Sequence, residues 1–387
     1  MKVLILTAAT GGGHAKAAEA LAECLAEKHP EWETVTADSL KCISPIVDRL
    51  VVGVYLGTVK NTPNLYGKLY DLSEKEQSLT DLTLAFNRLL SYRLYSFIES
   101  CRPSVIVCTH SFPLQMLSSL KRRHRISIPV IGIVTDFVSH LFWKLDGIDA
   151  LIVSHQHIKE DMMKIGIPGG IIHTFGIPVA AAFRDRPDRG SLLGELGLED
   201  KTTLLIMGGS LGMGEVKGIF GSLLKCRRDL QLIAVTGWNG KLRSQLEELS
   251  QGSDKSVSVL GYSDRVHLLM GISDLIITKP GGVTVSEALV KKLPILIIPP
   301  IPGQEVRNAS FLEDNGAAVR LPTGVNPEEA LCRLLDNPLK LRHMREMAGQ
   351  LSKPAAGYDI IGLIETMAWG RRMPERDGQR LLPAENF

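Results

Sequence analysis

Val3-Leu4-Ile5-Leu6-Thr7-Ala8-Ala9-Thr10-Gly11-Gly12-Gly13-His14 stands near the start of the chain, followed by an alanine-rich stretch from Ala15 to Lys28. The apolar run reads as a buried strand, the glycines as a turn, and Ala15 to Lys28 as a helix. A histidine at such a junction faces the crevice beyond the carboxyl ends of the strands, where α/β proteins bind their ligands. Imidazole titrates near neutrality, so His14 is a candidate general base at the mouth of a cleft. The bland alternative stays open at this point, because a glycine turn with one histidine is a common pattern.

Outward from this unit, strand and helix patterns alternate twice. The first half has strand candidates at Val3–Thr7, Thr34–Ala37, Val105–Cys108, Val130–Val134 and Ala150–Val153. The second half has them at Thr203–Met207, Gln231–Thr236, Ser256–Leu260, Leu275–Thr278, Ile295–Ile298 and Ala317–Arg320. Near-continuous apolar runs suit parallel strands covered on both faces, and the alternation predicts parallel sheets flanked by helices. The polar stretch around Arg184-Asp185-Arg186-Pro187-Asp188-Arg189-Gly190 reads as a linker. The expected organisation is a first domain over 1–177, a linker over 178–199, a second domain over 200–355, and a helix with a tail over 356–387.

Bulk properties narrow the function. The chain has 387 residues, enough for two ordinary domains. Lys+Arg is 44 against 42 for Asp+Glu, and a net charge of +2 argues against a nucleic-acid binder. The six cysteines are scattered without a C-x-x-C pair, so neither a zinc site nor a disulfide framework is suggested. No run approaches 18 apolar residues, and the short N-terminal run lacks a cleavage-site pattern, so the expected compartment is the cytoplasm.

Segment 41–98 is the least regular part of the first half. It holds Val51-Val52-Gly53-Val54-Tyr55-Leu56, Leu65-Tyr66, Leu84, Phe86, Leu89 and Leu90, with Lys60, Lys68, Arg88 and Arg93 interspersed. One reading is an amphipathic surface that touches a bilayer. The other is a set of core helices with solvated outer faces, favoured by the spread of the basic residues.

The second half carries three glycine-rich junctions. Met207-Gly208-Gly209-Ser210-Leu211-Gly212-Met213-Gly214 follows its first strand, with a helix expected from about Gly214. Bare amides at a helix start suit a diphosphate. The loop is not a Walker A motif, because no Gly-Lys-Ser/Thr follows. Lys279-Pro280-Gly281-Gly282-Val283-Thr284-Val285-Ser286-Glu287 repeats the strand, turn and helix pattern. Glu287 can hold a ribose diol, or it can close a capping box with Thr284. Pro302-Gly303-Gln304-Glu305-Val306-Arg307-Asn308 places Gln304, Glu305 and Asn308 on one helical face, a polar group that suits sugar hydroxyls.

Taken in order, these motifs resemble those of glycosyltransferase family 28. Gly11-Gly12-Gly13-His14-x-x-Ala17-Ala18, Thr135-Asp136-Phe137 with His140 and Trp143, and Gly176-Ile177-Pro178 match in the first half. Met207-Gly208-Gly209-Ser210-x-Gly212-Met213-Gly214, Lys279-Pro280-Gly281-Gly282-x-Thr284-x-x-Glu287-Ala288 and Pro302-Gly303-Gln304-Glu305-x-x-Asn308 complete the set. The chain is most similar to the monogalactosyldiacylglycerol synthases and the bacterial processive diacylglycerol glucosyltransferases, over roughly residues 1–370. One departure is Lys279-Pro280-Gly281-Gly282, where relatives often carry Ala/Leu-Gly-Pro-Gly.

The resemblance implies a GT-B fold, two Rossmann-like domains facing across a cleft, with the last helix near Tyr358–Trp369 crossing back to the first domain. It implies an inverting transfer of a hexose from a UDP-sugar to a lipid acceptor, diacylglycerol first, at the inner face of the cell membrane. His14 would be the base. Gly209, Ser210, Gly212, Met213, Gly214, Gly281, Gly282 and Thr284 would surround the diphosphate, Tyr262 and Ser263 the uracil, Glu287 the ribose, and Gln304, Glu305 and Asn308 the sugar. Gly13, His110, Thr135, Asp136 and His140 would line the acceptor side, with Asp136 either orienting a histidine or capping a helix. His155, His157, His173 and His267 receive no role. No metal or other cofactor is implied, and the first domain would make a peripheral membrane contact that moves segment 41–98 toward the bilayer reading. Alternatives are an N-acetylglucosamine transferase acting on a polyprenyl-linked or lipopolysaccharide-type acceptor, a UDP-sugar epimerase or hydrolase, and a non-catalytic UDP-sugar sensor.

Overall fold

The computed structural model describes residues 1–8, 12–44, 90–322 and 324–369, together with residues 49, 53, 57, 58, 67 and 68. Two six-stranded, all-parallel sheets build two domains. The first contains β1 (Lys2–Thr7), β2 (Glu33–Asp38), β3 (Val105–Cys108), β4 (Val130–Ile133), β5 (Ala150–Ile152) and β6 (Ile172–His173), in the order β2-β1-β3-β4-β5-β6. The second contains β7 (Thr203–Met207), β8 (Gln231–Val235), β9 (Val257–Leu260), β10 (Leu275–Thr278), β11 (Ile295–Ile297) and β12 (Ala318–Arg320), in the order β12-β11-β10-β7-β8-β9. This is the GT-B arrangement of two Rossmann-like halves.

Each strand order reverses once, and the crevice at such a reversal is where open α/β sheets bind ligands. In the first sheet it lies between β1 and β3, and in the second between β7 and β10. The central strands are buried along their whole length, as the apolar runs predict. β6 has two residues and carries too little pattern to be seen in the sequence.

The first helix spans Gly12–Lys28, three residues earlier than expected. His14 therefore stands in its first turn, while Thr10 and Gly11 lie outside the described residues. The reason for Gly12 is space. A Cβ on Gly12 would overlap the Ser210 side chain of the other domain, whereas one on Gly13 would only touch Val283 Cγ2 at an ordinary 3.7 Å, so the requirement falls on Gly12. The absent side chain lets this helix start abut the second domain.

The expected linker is partly structured. Helix Arg189–Glu195 buries Leu192 and Leu193 in the core shared with Leu269 and Met270. Arg189 donates to Asp200 Oδ1 at 2.9 Å and to the Lys201 carbonyl at 3.0 Å, so this stretch packs onto the second domain. At the other end, helix Ala356–Trp369 places Ile360, Ile361 and Ile364 in the core with Val3, Ile5 and Leu21 of the first domain. Tyr358 donates to Glu27 at 2.5 Å and accepts from Arg184 at 2.8 Å.

No helix among the described residues is long and apolar enough to cross a membrane. Val51, Val52, Val54, Tyr55, Leu56, Lys60, Leu65, Tyr66, Leu84, Phe86, Arg88 and Leu89, which carry the amphipathic reading of segment 41–98, lie outside the described residues.

Candidate active site

The two switch points face one another across a cavity of about 410 Å³. From the first domain it is lined by Gly13, His14, Thr135 and Asp136, and from the second by Gly209, Ser210, Tyr262, Ser263, Gly281, Gly282, Thr284, Glu287, Gln304 and Glu305.

His14 is held at the first switch point. Its Nδ1 lies 2.9 Å from the Thr109 carbonyl, just after β3, and 2.8 Å from Thr135 Oγ1, just after β4. A carbonyl only accepts, so Nδ1 carries the proton and Nε2 keeps its lone pair, a tautomer assigned from these bonds. Burial pushes the His14 pKa below the ordinary histidine value, while the Asp136 carboxylate and the Thr109 contact pull it back up. The ring is therefore neutral and basic at pH 7. Burial raises the Asp136 carboxyl, opposed by its hydrogen bond to Asn308 and by His14.

The second switch point supplies anion-binding groups. Helix Gly282–Val290 has Gly281 as its N-cap with no side-chain cap, and its first intrahelical bond runs from Val285 N to Gly281 O at 3.0 Å. The amides of Gly282, Val283 and Thr284 therefore have no intrahelical acceptor, and the positive end of the helix points into the cavity. The Thr284 and Glu287 capping box does not form, because the cap is Gly281 and Thr284 is already the third helical residue. Glu287 is left with its carboxyl in the cleft, and burial pushes its pKa up to about 8.

The glycine loop after β7 divides differently from expectation. Gly209 and Ser210 face the cavity, whereas Gly212, Met213 and Gly214 do not line it. Gly212 N donates to Gly209 O at 3.1 Å and Met213 N to Gly208 O at 2.9 Å, so these amides close the loop on itself. Gly209, Gly212 and Gly214 all have φ between 56° and 97°, and the left-handed value at Gly214 delays the helix to Val216.

Three other expected site residues lie off the cavity wall. His110 caps helix Ser111–Arg122 through Nδ1, 2.9 Å from Phe112 N, and meets the His14 ring edge-on at 4.4 Å. His140 likewise accepts from Phe142 N at 3.1 Å and caps the 3-10 turn Leu141–Trp143. Asn308 is fully buried, with both amide atoms engaged between the domains rather than turned to a sugar.

The wall also carries residues that the sequence motifs do not mark as site residues, among them Lys279, Lys16, His267 and Phe183. Lys279, noted only as a departure, reaches Glu305 Oε1 at 2.6 Å beside the Gly281–Gly282 helix start. Lys16 leaves the first helix to sit 5.6 Å over the Tyr262 ring, which stacks on Trp238 at 4.3 Å. His267 and Phe183 meet edge-on at 5.9 Å at the same wall. His267 follows directly on the Tyr262–Asp264 loop, and that adjacency was the available signal.

Comparison with known proteins identifies the family and the fold. Residues 14–179 match the family described as monogalactosyldiacylglycerol (MGDG) synthase, and residues 203–357 match the glycosyltransferase family 28 C-terminal domain. A processive diacylglycerol β-glucosyltransferase of Bacillus cereus is 31% identical over 379 residues, covering 96% of each chain. The chain belongs to glycosyltransferase family 28. Within that family it groups with the monogalactosyldiacylglycerol synthase and processive diacylglycerol glucosyltransferase type. Among solved structures, Acinetobacter baumannii MurG superposes with a TM-score of 0.60 at 16% identity, covering 94% of this chain and 99% of its own. The S. aureus MnaA–UDP complex superposes at 0.62 and 15% identity, covering 94% and 96%. Those likenesses establish the fold of this family 28 enzyme.

In this glycosyltransferase the residues brought together form two chemically distinct walls. One carries a neutral imidazole and a carboxyl. The other carries bare amides, a lysine and carboxyls suited to hydroxyl groups. Among the described residues, no group of three or more His, Cys, Asp or Glu side chains is arranged to hold a metal ion.

Proposed function

We propose that the enzyme transfers a hexosyl group from a UDP-sugar to the hydroxyl of diacylglycerol, with inversion at the sugar C1. The observation that carries this reading is His14, held through Nδ1 by the Thr109 carbonyl, on the wall opposite the open amides of Gly282–Thr284. His14 Nε2 takes the proton of the acceptor oxygen as that oxygen bonds to C1. The bond from C1 to the UDP oxygen breaks, and the diphosphate leaves with the electron pair. Asp136 favours the imidazolium that forms. The helix amides and Lys279 receive the charge on the departing diphosphate, preorganised electrostatics that is usually the largest catalytic term.

Glu287 accepts hydrogen bonds from the ribose diol. Tyr262 and Ser263 lie along the uracil, and Gln304 and Glu305 meet sugar hydroxyls. With a lysine and a helix start at the diphosphate, the proposal includes no need for a divalent cation. The relatives, processive diacylglycerol β-glucosyltransferases, support diacylglycerol as the acceptor. A lipid acceptor implies that the enzyme works against the inner face of the cell membrane, with the first domain in contact.

The test is incubation with labelled UDP-glucose or UDP-galactose, diacylglycerol liposomes and EDTA, followed by lipid extraction and determination of the anomer. Label in the lipid phase as a β-glycoside is expected. Label confined to the aqueous phase for both donors rejects the transfer, and an altered sugar nucleotide without lipid points to an epimerase. An α-glycoside rejects inversion of an α-linked donor. Loss of all transfer in EDTA, restored by a cation, rejects metal independence.

A further inference from the structure

Asn308 sits in the second turn of helix Gln304–Asp314, one turn beyond Glu305. It is fully buried, and every polar atom of its amide is engaged. Oδ1 accepts from the backbone N–H of Phe137 at 2.8 Å. Nδ2 donates to Asp136 Oδ1 at 2.9 Å and to the Pro280 carbonyl at 3.0 Å. One side chain thus joins the segment after β4 in the first domain to the loop after β10 in the second. An amide that supplies both a donor and an acceptor is suited to such a junction.

The two ends of this junction are the two walls of the active site. On the first-domain side, Asp136 follows Thr135, whose Oγ1 lies 2.8 Å from His14 Nδ1. On the second-domain side, Pro280 precedes the Gly281–Gly282 helix start, and Glu305 on the same helix as Asn308 holds Lys279. Gly282 and Thr135 also meet without room for a side chain.

We infer that Asn308 is a positioning residue that fixes Asp136 beside His14 only when the two domains are closed, so that the base is completed by domain closure rather than by the first domain alone. This rests on the general-base reading of His14 proposed above. It also assigns Asn308 away from the sugar, which the pattern Gln304-Glu305-x-x-Asn308 had suggested.

The charged and titratable groups around the pair come from every packed element. His14 faces His110 from the helix after β3 and Asp136 from the segment after β4, and Asp136 in turn faces Glu305 and Lys279 of the second domain. The hydrogen bond from Asn308 favours the ionised form of Asp136, and ionised Asp136 favours protonated His14. Removing the amide therefore lets Asp136 take up a proton more readily and weakens His14 as a base. The acid limb of the kcat/KM profile moves to lower pH, while kcat falls.

The experiment is a double-mutant cycle of Asn308→Ala and Asp136→Asn, with His14→Gln alongside, using UDP-glucose, UDP-galactose and diacylglycerol liposomes. Asn308→Ala alone is expected to lower kcat on the order of 10²-fold, the scale of a small misplacement of reacting groups. KM for either sugar nucleotide and the preference between them stay unchanged, and the acid limb shifts down. In the Asp136→Asn background the further loss is expected to shrink to a few-fold, since interacting residues are non-additive.

Additive losses, an unshifted acid limb, or a changed preference between the two sugars overturns the inference. Should Asn308→Ala not fold, Asn308→Ser is read in the same cycle, with binding of UDP as the sign of an intact second domain. Retained turnover in His14→Gln overturns the general-base reading itself. Lost turnover there with an additive cycle overturns only the role of Asn308.

Discussion

Gly282 and Thr135 touch backbone to backbone across the cleft, and a Cβ on Gly282 would overlap the Thr135 carbonyl oxygen. The contact joins the start of the second domain's anion-binding helix to the strand end that holds His14. The closeness of the two walls therefore depends on a missing methyl group. Gly282→Ala is expected to hold the domains apart and to lower turnover on the order of 10²-fold. Gly12→Ala is expected to be milder but not silent: its Cβ would overlap Ser210 Oγ, which can rotate away, and meet Ser210 Cβ at 2.7 Å, which can move only with its loop, whereas on Gly282 the overlap is with backbone. Turnover with small-angle scattering checks the order, and equal activity in both variants would count against closure as the cause.

His14→Gln keeps a hydrogen-bonding side chain but removes the basic nitrogen. Loss of turnover by about 10²–10⁴-fold is expected, the usual worth of general-base help. Binding of UDP, measured by calorimetry, is expected to stay within a few-fold of the parent, since the groups proposed to hold the diphosphate belong to the other domain. In the parent, activity should fall on the acid side as His14 takes up a proton.

Glu287 gives a prediction with a sign. Its folded pKa is pushed up to about 8, above the ordinary glutamate value, because burial disfavours the charge. Between those values the unfolded chain has released a proton that the folded enzyme still holds, so stability falls as pH rises toward 8. Glu287→Gln removes that penalty. The variant should melt higher than the parent at pH 8 and nearly with it at pH 5, by calorimetric scans. It should also bind UDP more weakly, with less pH dependence, if the ionised carboxylate holds the ribose.

Lys279 is expected to serve the diphosphate. Among the described residues, Lys279→Met leaves the Glu305 carboxylate with only its bond from Ile301 N at 3.0 Å. Removing the partner of a buried polar group costs about 1–3 kcal/mol, so the melting temperature should drop. Affinity for UDP should fall much more than affinity for uridine. A matched loss for both ligands would place the effect in general stability rather than at the phosphates.

Much of this arrangement was legible in the residues. Strands such as Thr203–Met207 and Leu275–Thr278 announce themselves because burial on both faces demands unbroken apolar runs. The glycine junctions mark the switch points because positive φ, as at Gly209, Gly212 and Gly214, or close backbone approach, as at Gly282, selects that composition. The start of the first helix was misplaced because Gly12 and Gly13 look like a turn, whereas the close approach of Ser210 explains the glycine at 12. Asn308 lies off the cavity wall although helical spacing places it beside Glu305, and nothing local reveals that Phe137 and Asp136 cover it. Gly212 and Met213 were expected at the ligand because a loop that bonds to itself looks the same in sequence as one left open.

The last described helix has a consequence for how the enzyme is made. Ile360, Ile361 and Ile364 fill one face of the sheet that begins with Val3 and Ile5. A ribosome that has produced only the amino-terminal half therefore releases a body with an uncovered greasy flank. That flank stays open while the whole second domain is translated. The protein should depend on holding chaperones during synthesis, and fragments cut between the two halves should clump rather than survive as independent pieces.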